Sequence, residues 1–116
     1  AILDGTAALL QRWGVRVVAA TGLESALTSL RQARPDILLA DFHLDEALDG
    51  LAVLDILRRE AGGAPIPAAL VTADRSEDLA QRARSADFPL LHKPVRPAAL
   101  RALLAALARR RAAGSE

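Results

Sequence analysis

The sequence PDILLAD at residues 35–41 decides the fold class of this 116-residue chain. Its apolar run, residues 37–40, lacks the alternation of polar and apolar residues that marks a strand with one solvated face. An uninterrupted run of this kind is typical of a strand that is buried on both faces, and such strands belong to parallel sheets covered by helices. The run therefore predicts an α/β fold, with Asp41 at the end of a buried strand.

Helical and strand patterns alternate on both sides of this run. Helices are predicted where apolar residues recur at three- and four-residue spacing, and strands where short apolar runs are bounded by turn residues. The predicted helices span residues 2–13, from 23 to before Pro35, 50–61, 76–86 and 97–111, and the predicted strands residues 15–20, 37–40, 68–72 and 90–92. Strict alternation with short connections predicts a doubly wound parallel sheet with helices on both faces.

The composition limits the classes of protein that the chain can represent. The hydrophobic fraction of 52% is too high for a disordered chain, and no apolar run approaches the length of a membrane span. Cysteine is absent, which excludes disulfides and cysteine-based zinc sites. A net charge of +1 and 3% aromatic residues argue against a nucleic-acid binder. We predict one cytoplasmic domain over residues 1–111, with a flexible tail over residues 112–116 and no membrane contact.

Three polar residues fall at the carboxyl ends of predicted strands, where ligands bind in open α/β sheets. Asp41 ends the first buried strand, Thr72 ends the next, and Lys93 follows the last. A carboxylate can attack phosphorus, and an ammonium group can hold a phosphoryl oxygen. Taken singly, the three could be a turn residue, a β-former and a solvated loop lysine. Together they predict a phosphoryl-acceptor site.

Four segments resemble the response-regulator receiver domain of two-component signalling, which has a flavodoxin-like fold. They are PDILLAD at 35–41, DGL at 49–51, LVTA at 70–73 and HKP at 92–94. The resemblance covers nearly the whole chain in order and spacing. The Asp that ends the first buried strand and the Lys-Pro after the last strand are its most specific parts.

The resemblance implies a role for each residue of the site. Asp41 is expected to accept a phosphoryl group from a histidine kinase or a phosphotransfer domain. Thr72 is the expected switch hydroxyl, and Lys93 the expected contact of the phosphoryl group. The expected cofactor is Mg²⁺, with Asp41 and the backbone carbonyl of His43 as ligands. The Lys93–Pro94 bond is expected to be cis.

Two features depart from the family pattern. The family begins with a central strand ending in an acidic pair that holds Mg²⁺, whereas the sequence here starts in what matches the family's first helix, and Asp4 within that helix is no substitute. We therefore expect either a short apolar strand with an acidic pair upstream of Ala1 or a partner chain in its place. In addition, Leu90 stands where the family often has an aromatic switch residue.

Other interpretations stay open. A pseudo-receiver, a protein-interaction module that is not phosphorylated, is the main alternative, and any enzymatic activity would be limited to self-phosphorylation and autodephosphorylation. A nucleotide- or flavin-binding protein is disfavoured, because no Gly-rich phosphate loop follows a strand. His43 and Asp74, each two residues beyond a site residue, either tune dephosphorylation or are plain loop residues. Segments 43–45 and 71–76 are similar to receivers at the C-terminus of hybrid sensor histidine kinases. Homodimerisation is left open.

Overall fold

The buried run forms a strand of a parallel sheet, as predicted. The computed structural model of the protein describes residues 4–18, 20, 22–42 and 48–114. Within these ranges, three strands lie in the order β1-β2-β3. Their bounds are Leu38–Asp41 for β1, Ala68–Thr72 for β2 and Leu90–His92 for β3. Both neighbouring pairs are parallel, with Asp41 opposite Val71 and Thr72 opposite His92.

Among the described residues, five helices surround the sheet. They are α1 (Asp4–Arg12), α2 (Leu23–Gln32), α3 (Gly50–Ala61), α4 (Glu77–Ser85) and α5 (Pro97–Gly114). Local signals in the sequence set several of their ends. The side chain of Asp49 caps α3 by accepting a hydrogen bond from the backbone N–H of Ala52, and that of Ser76 caps α4 through Leu79. Gly62, which ends α3, has a φ of 63°, a left-handed conformation that favours glycine.

The two faces of the sheet carry separate hydrophobic layers. Alternate residues of β2 point to opposite faces, so Leu70 joins one layer and Val71 the other. Helices α3 and α4 cover the first face, and α1 and α5 cover the second. Every residue of β2 is buried, which explains why this strand reads as a continuous apolar run ending in Thr72. The doubly wound architecture predicted from the sequence is confirmed.

One predicted strand and the predicted end of the last helix are wrong. Residues 15–20 were predicted to form a strand, but residues 15–18 and 20 have no strand structure, and Val18 is 63% exposed. A strand needs a hydrogen-bonded neighbour, and the described residues supply none between this segment and β1. The last helix continues to Gly114 instead of ending near Arg111, because its alanine-rich end favours helix. Residues 112–114 are therefore helical, and the rest of the predicted tail lies outside the described residues.

The described helices also bear on the membrane prediction. None of them is long and apolar enough to cross a bilayer.

Candidate functional site

The carboxyl ends of all three strands meet at one edge of the sheet. Asp41 is the last residue of β1, Thr72 the last of β2, and Lys93 directly follows β3. Backbone hydrogen bonds fix this edge: Phe42 N–H donates to the Val71 carbonyl and Lys93 N–H donates to the Thr72 carbonyl, each at 2.9 Å. The three predicted site residues are therefore brought to one edge by the ladder itself.

Asp41 and Lys93 form an ion pair across this edge. The Lys93 Nζ donates a hydrogen bond to Asp41 Oδ2 at 2.5 Å. The side chain of Asp41 is only 5% exposed and that of Lys93 is 20% exposed. Lys93 is the single lysine of the chain, so the sequence places its only primary side-chain amine on this carboxylate. The Lys93–Pro94 peptide bond that follows is cis, as predicted.

The hydroxyl of Thr72 is fully buried and points away from solvent into a hydrogen-bonded turn. Thr72 Oγ1 accepts a hydrogen bond from the backbone N–H of Asp74 at 3.0 Å. Asp74 Oδ1 in turn accepts from the N–H of Ser76 at 2.8 Å, and the Ser76 hydroxyl caps α4. A continuous series of local hydrogen bonds thus runs from the end of β2 to the start of α4. Asp74 has this structural role in addition to its position beside the site.

The predicted Mg²⁺ site is represented by one residue only. Asp41 offers a carboxylate, but His43 and any residue upstream of Ala1 lie outside the described residues. Within the described ranges, no three His, Cys, Asp or Glu side chains are grouped so that they could hold a metal ion. Since Mg²⁺ requires near-octahedral oxygen coordination, the described residues alone do not fit the ion.

Leu90, which stands at the family's aromatic switch position, belongs to the core. It is partly buried and packs against the layer that contains Leu79 and Ala83 of α4. Its aliphatic side chain fills space between the sheet and α4, so this position contributes packing rather than a ring that can turn between two environments.

One contact between elements was not predicted from the sequence. Asp49 lies in the DGL segment at residues 49–51, and its second carboxylate oxygen accepts a hydrogen bond from Arg82 Nη2 of α4 at 2.9 Å. Burial alone would raise the pKa of Asp49, but the hydrogen bonds from Arg82 and Ala52 and the charge of Arg82 outweigh it and lower the pKa. No signal in the sequence distinguished Arg82 from the other arginines, because the pair forms between residues far apart along the chain.

Taken together, the edge presents a carboxylate, an ammonium group and a buried hydroxyl at adjacent strand ends. Desolvation strengthens the interaction between the buried carboxylate and the ammonium group relative to a surface pair. The carboxylate is a nucleophile of the kind that forms acyl phosphates, and the ammonium group can bind the oxygens of a group transferred to it. This arrangement is suited to accepting a small anionic group.

Comparisons with known proteins agree with the fold. Residues 1–105 match the sequence profile of the family described as "Response regulator receiver domain". The receiver domain of NtrX from Brucella abortus is similar in structure, with a TM-score of 0.82 and 23% identity, covering 93% of this chain and 90% of that chain. The structure of the chemotaxis protein CheY4 from Vibrio cholerae is also similar, with a TM-score of 0.79 and 22% identity. The alignment covers 91% of this chain and 88% of that chain.

A third similar structure is the signal receiver domain of a modulated diguanylate cyclase from Desulfovibrio desulfuricans. Its TM-score is 0.80 at 24% identity, and the alignment covers 95% of this chain and 86% of that chain. At these identities the structural likeness shows the fold alone. The sequence matches no curated protein in the corresponding comparison.

Proposed function

We propose that Asp41 is the phosphoacceptor of this chain, which belongs to the response regulator receiver domain family of two-component signalling. The donor is a histidine kinase or a phosphotransfer domain, the class of partner with which receiver domains interact. The phosphorylated domain then presents a changed protein-interaction surface. The alternative is a pseudo-receiver that keeps the fold and is not phosphorylated.

The observation that carries this proposal is the buried ion pair between Asp41 and Lys93. A carboxylate that serves only as a turn or cap residue would accept bonds from nearby backbone N–H groups and would face solvent. The side chain of Asp41 is instead 5% exposed and is bound by the ammonium group of Lys93, which follows β3, two strands away. The family match and this pairing support the same residue as the reactive one.

The proposed transfer replaces one bond to phosphorus by another. A carboxylate oxygen of Asp41 forms the new O–P bond, while the P–N bond to the donor histidine breaks. The electron pair of that bond stays with the imidazole nitrogen. The ammonium group of Lys93 offers its N–H groups to an oxygen of the phosphoryl group, where negative charge accumulates. Positioning and charge stabilisation account for the residues' contribution.

The response to phosphorylation begins at Thr72. If its hydroxyl turns toward the new phosphoryl oxygens, the hydrogen bond from Asp74 N–H must break or lengthen. This change would weaken the two hydrogen bonds that follow in the series. They join Asp74 to Ser76 and Ser76 to the first turn of α4. We infer that α4 and the loop before it form the surface that changes.

Some finer features of the function rest on the sequence alone. Receiver domains generally bind Mg²⁺ at the phosphorylation site, and we propose that here Asp41 and the backbone carbonyl of His43 would be ligands. The similarity of segments 43–45 and 71–76 supports a hybrid histidine kinase as the parent protein. A cytoplasmic location follows from that assignment.

Intact-mass measurement tests the proposal. The protein is incubated with acetyl phosphate and Mg²⁺, and we expect the mass of one phosphoryl group to be added. Asp41→Asn should abolish the addition. Asp36→Asn is the matched control, because Asp36 is exposed and precedes β1, at the opposite edge of the sheet. A folded protein that takes up no phosphoryl group would favour the pseudo-receiver.

A further inference from the structure

Helix α4 is attached to the rest of the described molecule by few side chains. Two of its residues, Leu79 and Ala83, are buried in the layer between the sheet and the helices. Within the described ranges, the ion pair of Arg82 with Asp49 is the one that joins α4 to another element, since that of Arg84 with Glu77 stays within α4. Short apolar contact and a single external ion pair are typical of an element that can shift.

Asp49 holds two helices with its two carboxylate oxygens. Oδ1 accepts from Ala52 N–H at 2.9 Å and caps α3, and Oδ2 accepts from Arg82 Nη2 at 2.9 Å. The side chain of Asp49 is 31% exposed and that of Arg82 is 47% exposed, so the pair is weaker than a buried one but still ordered by the cap.

The start of α3 is packed directly on the phosphoacceptor segment. Gly50 N–H donates to the carbonyl of Phe42 at 2.9 Å. A Cβ at Gly50 would lie 2.7 Å from the carbonyl oxygen of Asp41 and 2.5 Å from Leu70 Cδ1, which leaves no room for a side chain. The backbone at Asp41 and Phe42 is thus in direct contact with Gly50, the neighbour of Asp49.

We propose that the Asp49–Arg82 pair is a latch that holds α4 in its resting position and is weakened when Asp41 is phosphorylated. This inference rests on the proposed function and adds to it a second connection between the site and α4. The first connection consists of local hydrogen bonds and passes from Thr72 through Asp74 and Ser76. The second crosses from α3 to α4 through side chains far apart in sequence.

The proposed latch predicts the size of the coupling between the ion pair and Asp41. If a phosphoryl group on Asp41 weakens the pair, then weakening the pair must favour the phosphoryl-bound state by the same factor, because coupling between two sites is reciprocal. An exposed ion pair of this type corresponds to a change of about two- to fivefold in an equilibrium constant. The effect is small enough to leave the fold intact and large enough to measure.

The test compares Arg82→Gln, Asp49→Asn and the double variant with the wild type. Asparagine keeps an oxygen that can cap α3 and removes the charge, so α3 should persist. Arg84→Gln is the matched control, because it removes an arginine of the same helix whose partner lies on that helix. Hydrogen exchange of the backbone amides in peptides covering α4 is measured first, without any phosphodonor.

The second measurement is the affinity for trifluoroberyllate, a phosphoryl analogue, in the presence of Mg²⁺. We expect exchange in α4 to be about two- to fivefold faster in Arg82→Gln and Asp49→Asn, with no further increase in the double variant. The affinity for trifluoroberyllate should increase by a similar factor, while Arg84→Gln resembles the wild type in both measurements.

Three results would contradict the latch. Exchange in Arg82→Gln that equals that of Arg84→Gln would show that the pair does not hold α4. Faster exchange with unchanged affinity for trifluoroberyllate would show that the pair holds α4 but is not coupled to Asp41. If the wild type neither binds trifluoroberyllate nor takes up a phosphoryl group, the proposed function itself fails, and the coupling falls with it.

Discussion

The carboxylate of Asp41 depends on Lys93 for its charge balance. It is nearly closed to solvent, and the ammonium group of Lys93 donates to one of its oxygens. A buried charge that loses its partner destabilises a protein far more than a surface charge does. The contribution of the pair to the free energy of unfolding can therefore be measured separately from its proposed role in phosphoryl transfer.

Replacing Lys93 by methionine should lower the free energy of unfolding by about 1–3 kcal/mol, because Asp41 then stays buried without a counter-charge. Adding Asp41→Asn should restore much of the loss, since the unpaired charge is removed. Urea unfolding of the two single variants and the double variant near neutral pH checks this. Additive effects of the two substitutions would show that the side chains do not interact in solution.

Thr72 offers a second test at the level of one residue. Thr72→Val keeps the shape of the side chain but removes the oxygen that accepts from Asp74 N–H. We expect the free energy of unfolding to fall by about 1 kcal/mol and α4 to exchange faster, because the turn before it loses its anchor. Thr72→Ser keeps the hydroxyl and should preserve slow exchange. Equal exchange in the valine and serine variants would contradict a role for the hydroxyl in this turn.

The positions of Asp41, Thr72 and Lys93 in the sequence were enough to predict that they lie at one edge of the sheet, because parallel strands have their carboxyl ends at the same edge. It was not enough to predict the contacts that each side chain makes. The pairing of Asp49 with Arg82 could not be predicted, because it depends on where α4 settles against α3. Helix caps, in contrast, are local, and the side chain of Asp49 caps α3 by binding a backbone N–H three residues away.

At the level of elements, local pattern predicted most of the helices and strands. Helices α3 and α4 begin within one residue of their predicted starts, and β2 and β3 have the predicted bounds. The exception is the segment 15–20, whose β-branched residues favour a strand but lack a ladder partner among the described residues. Strand propensity reflects the fit to a neighbouring strand, so it fails where that neighbour is not present.

The cap and ion pair of Asp49 predict a dependence of stability on pH. Its pKa in the folded protein lies below the usual value of 3.8, so its contribution is present above that value and is lost as the pH falls through the folded pKa. Wild type should therefore exceed Asp49→Asn in free energy of unfolding by at most about 1 kcal/mol near pH 6. The difference should vanish at pH values below the folded pKa.

Urea unfolding of both proteins at several pH values from about 6 downward measures this difference. Glu77→Gln is a suitable control, because its partner Arg84 lies on the same helix and both side chains are largely exposed. A gap between wild type and Asp49→Asn that stays constant with pH would indicate that the cap alone, and not the charge, distinguishes the two proteins.

At the level of the whole molecule, the sheet lies between two hydrophobic layers. Leu54 of α3 lies in one layer and Leu100 of α5 in the other, and both are almost fully buried. The fully buried strand β2 contributes side chains to both layers. Any change at the strand ends is therefore surrounded by close-packed elements on both sides.

We expect Leu54→Ala and Leu100→Ala each to lower the free energy of unfolding by about 2–4 kcal/mol, because each leaves a cavity in its layer. Val18→Ala, at a residue 63% exposed, should change it by less than about 0.5 kcal/mol. Chemical denaturation followed by circular dichroism and by Trp13 fluorescence should give coincident transitions for all three variants. Separate transitions would show that the two layers unfold independently.

The central claim is that Asp41 is the residue that accepts the phosphoryl group, and its most direct test is to locate the acyl phosphate. The protein is phosphorylated with acetyl phosphate and reduced with borohydride, which converts an aspartyl phosphate to homoserine, and the peptides are then sequenced by mass spectrometry. Our account predicts homoserine at position 41 in the phosphorylated sample and at no other aspartate. Homoserine at Asp36, Asp49 or Asp74, or at none of the aspartates of a folded protein, would contradict it.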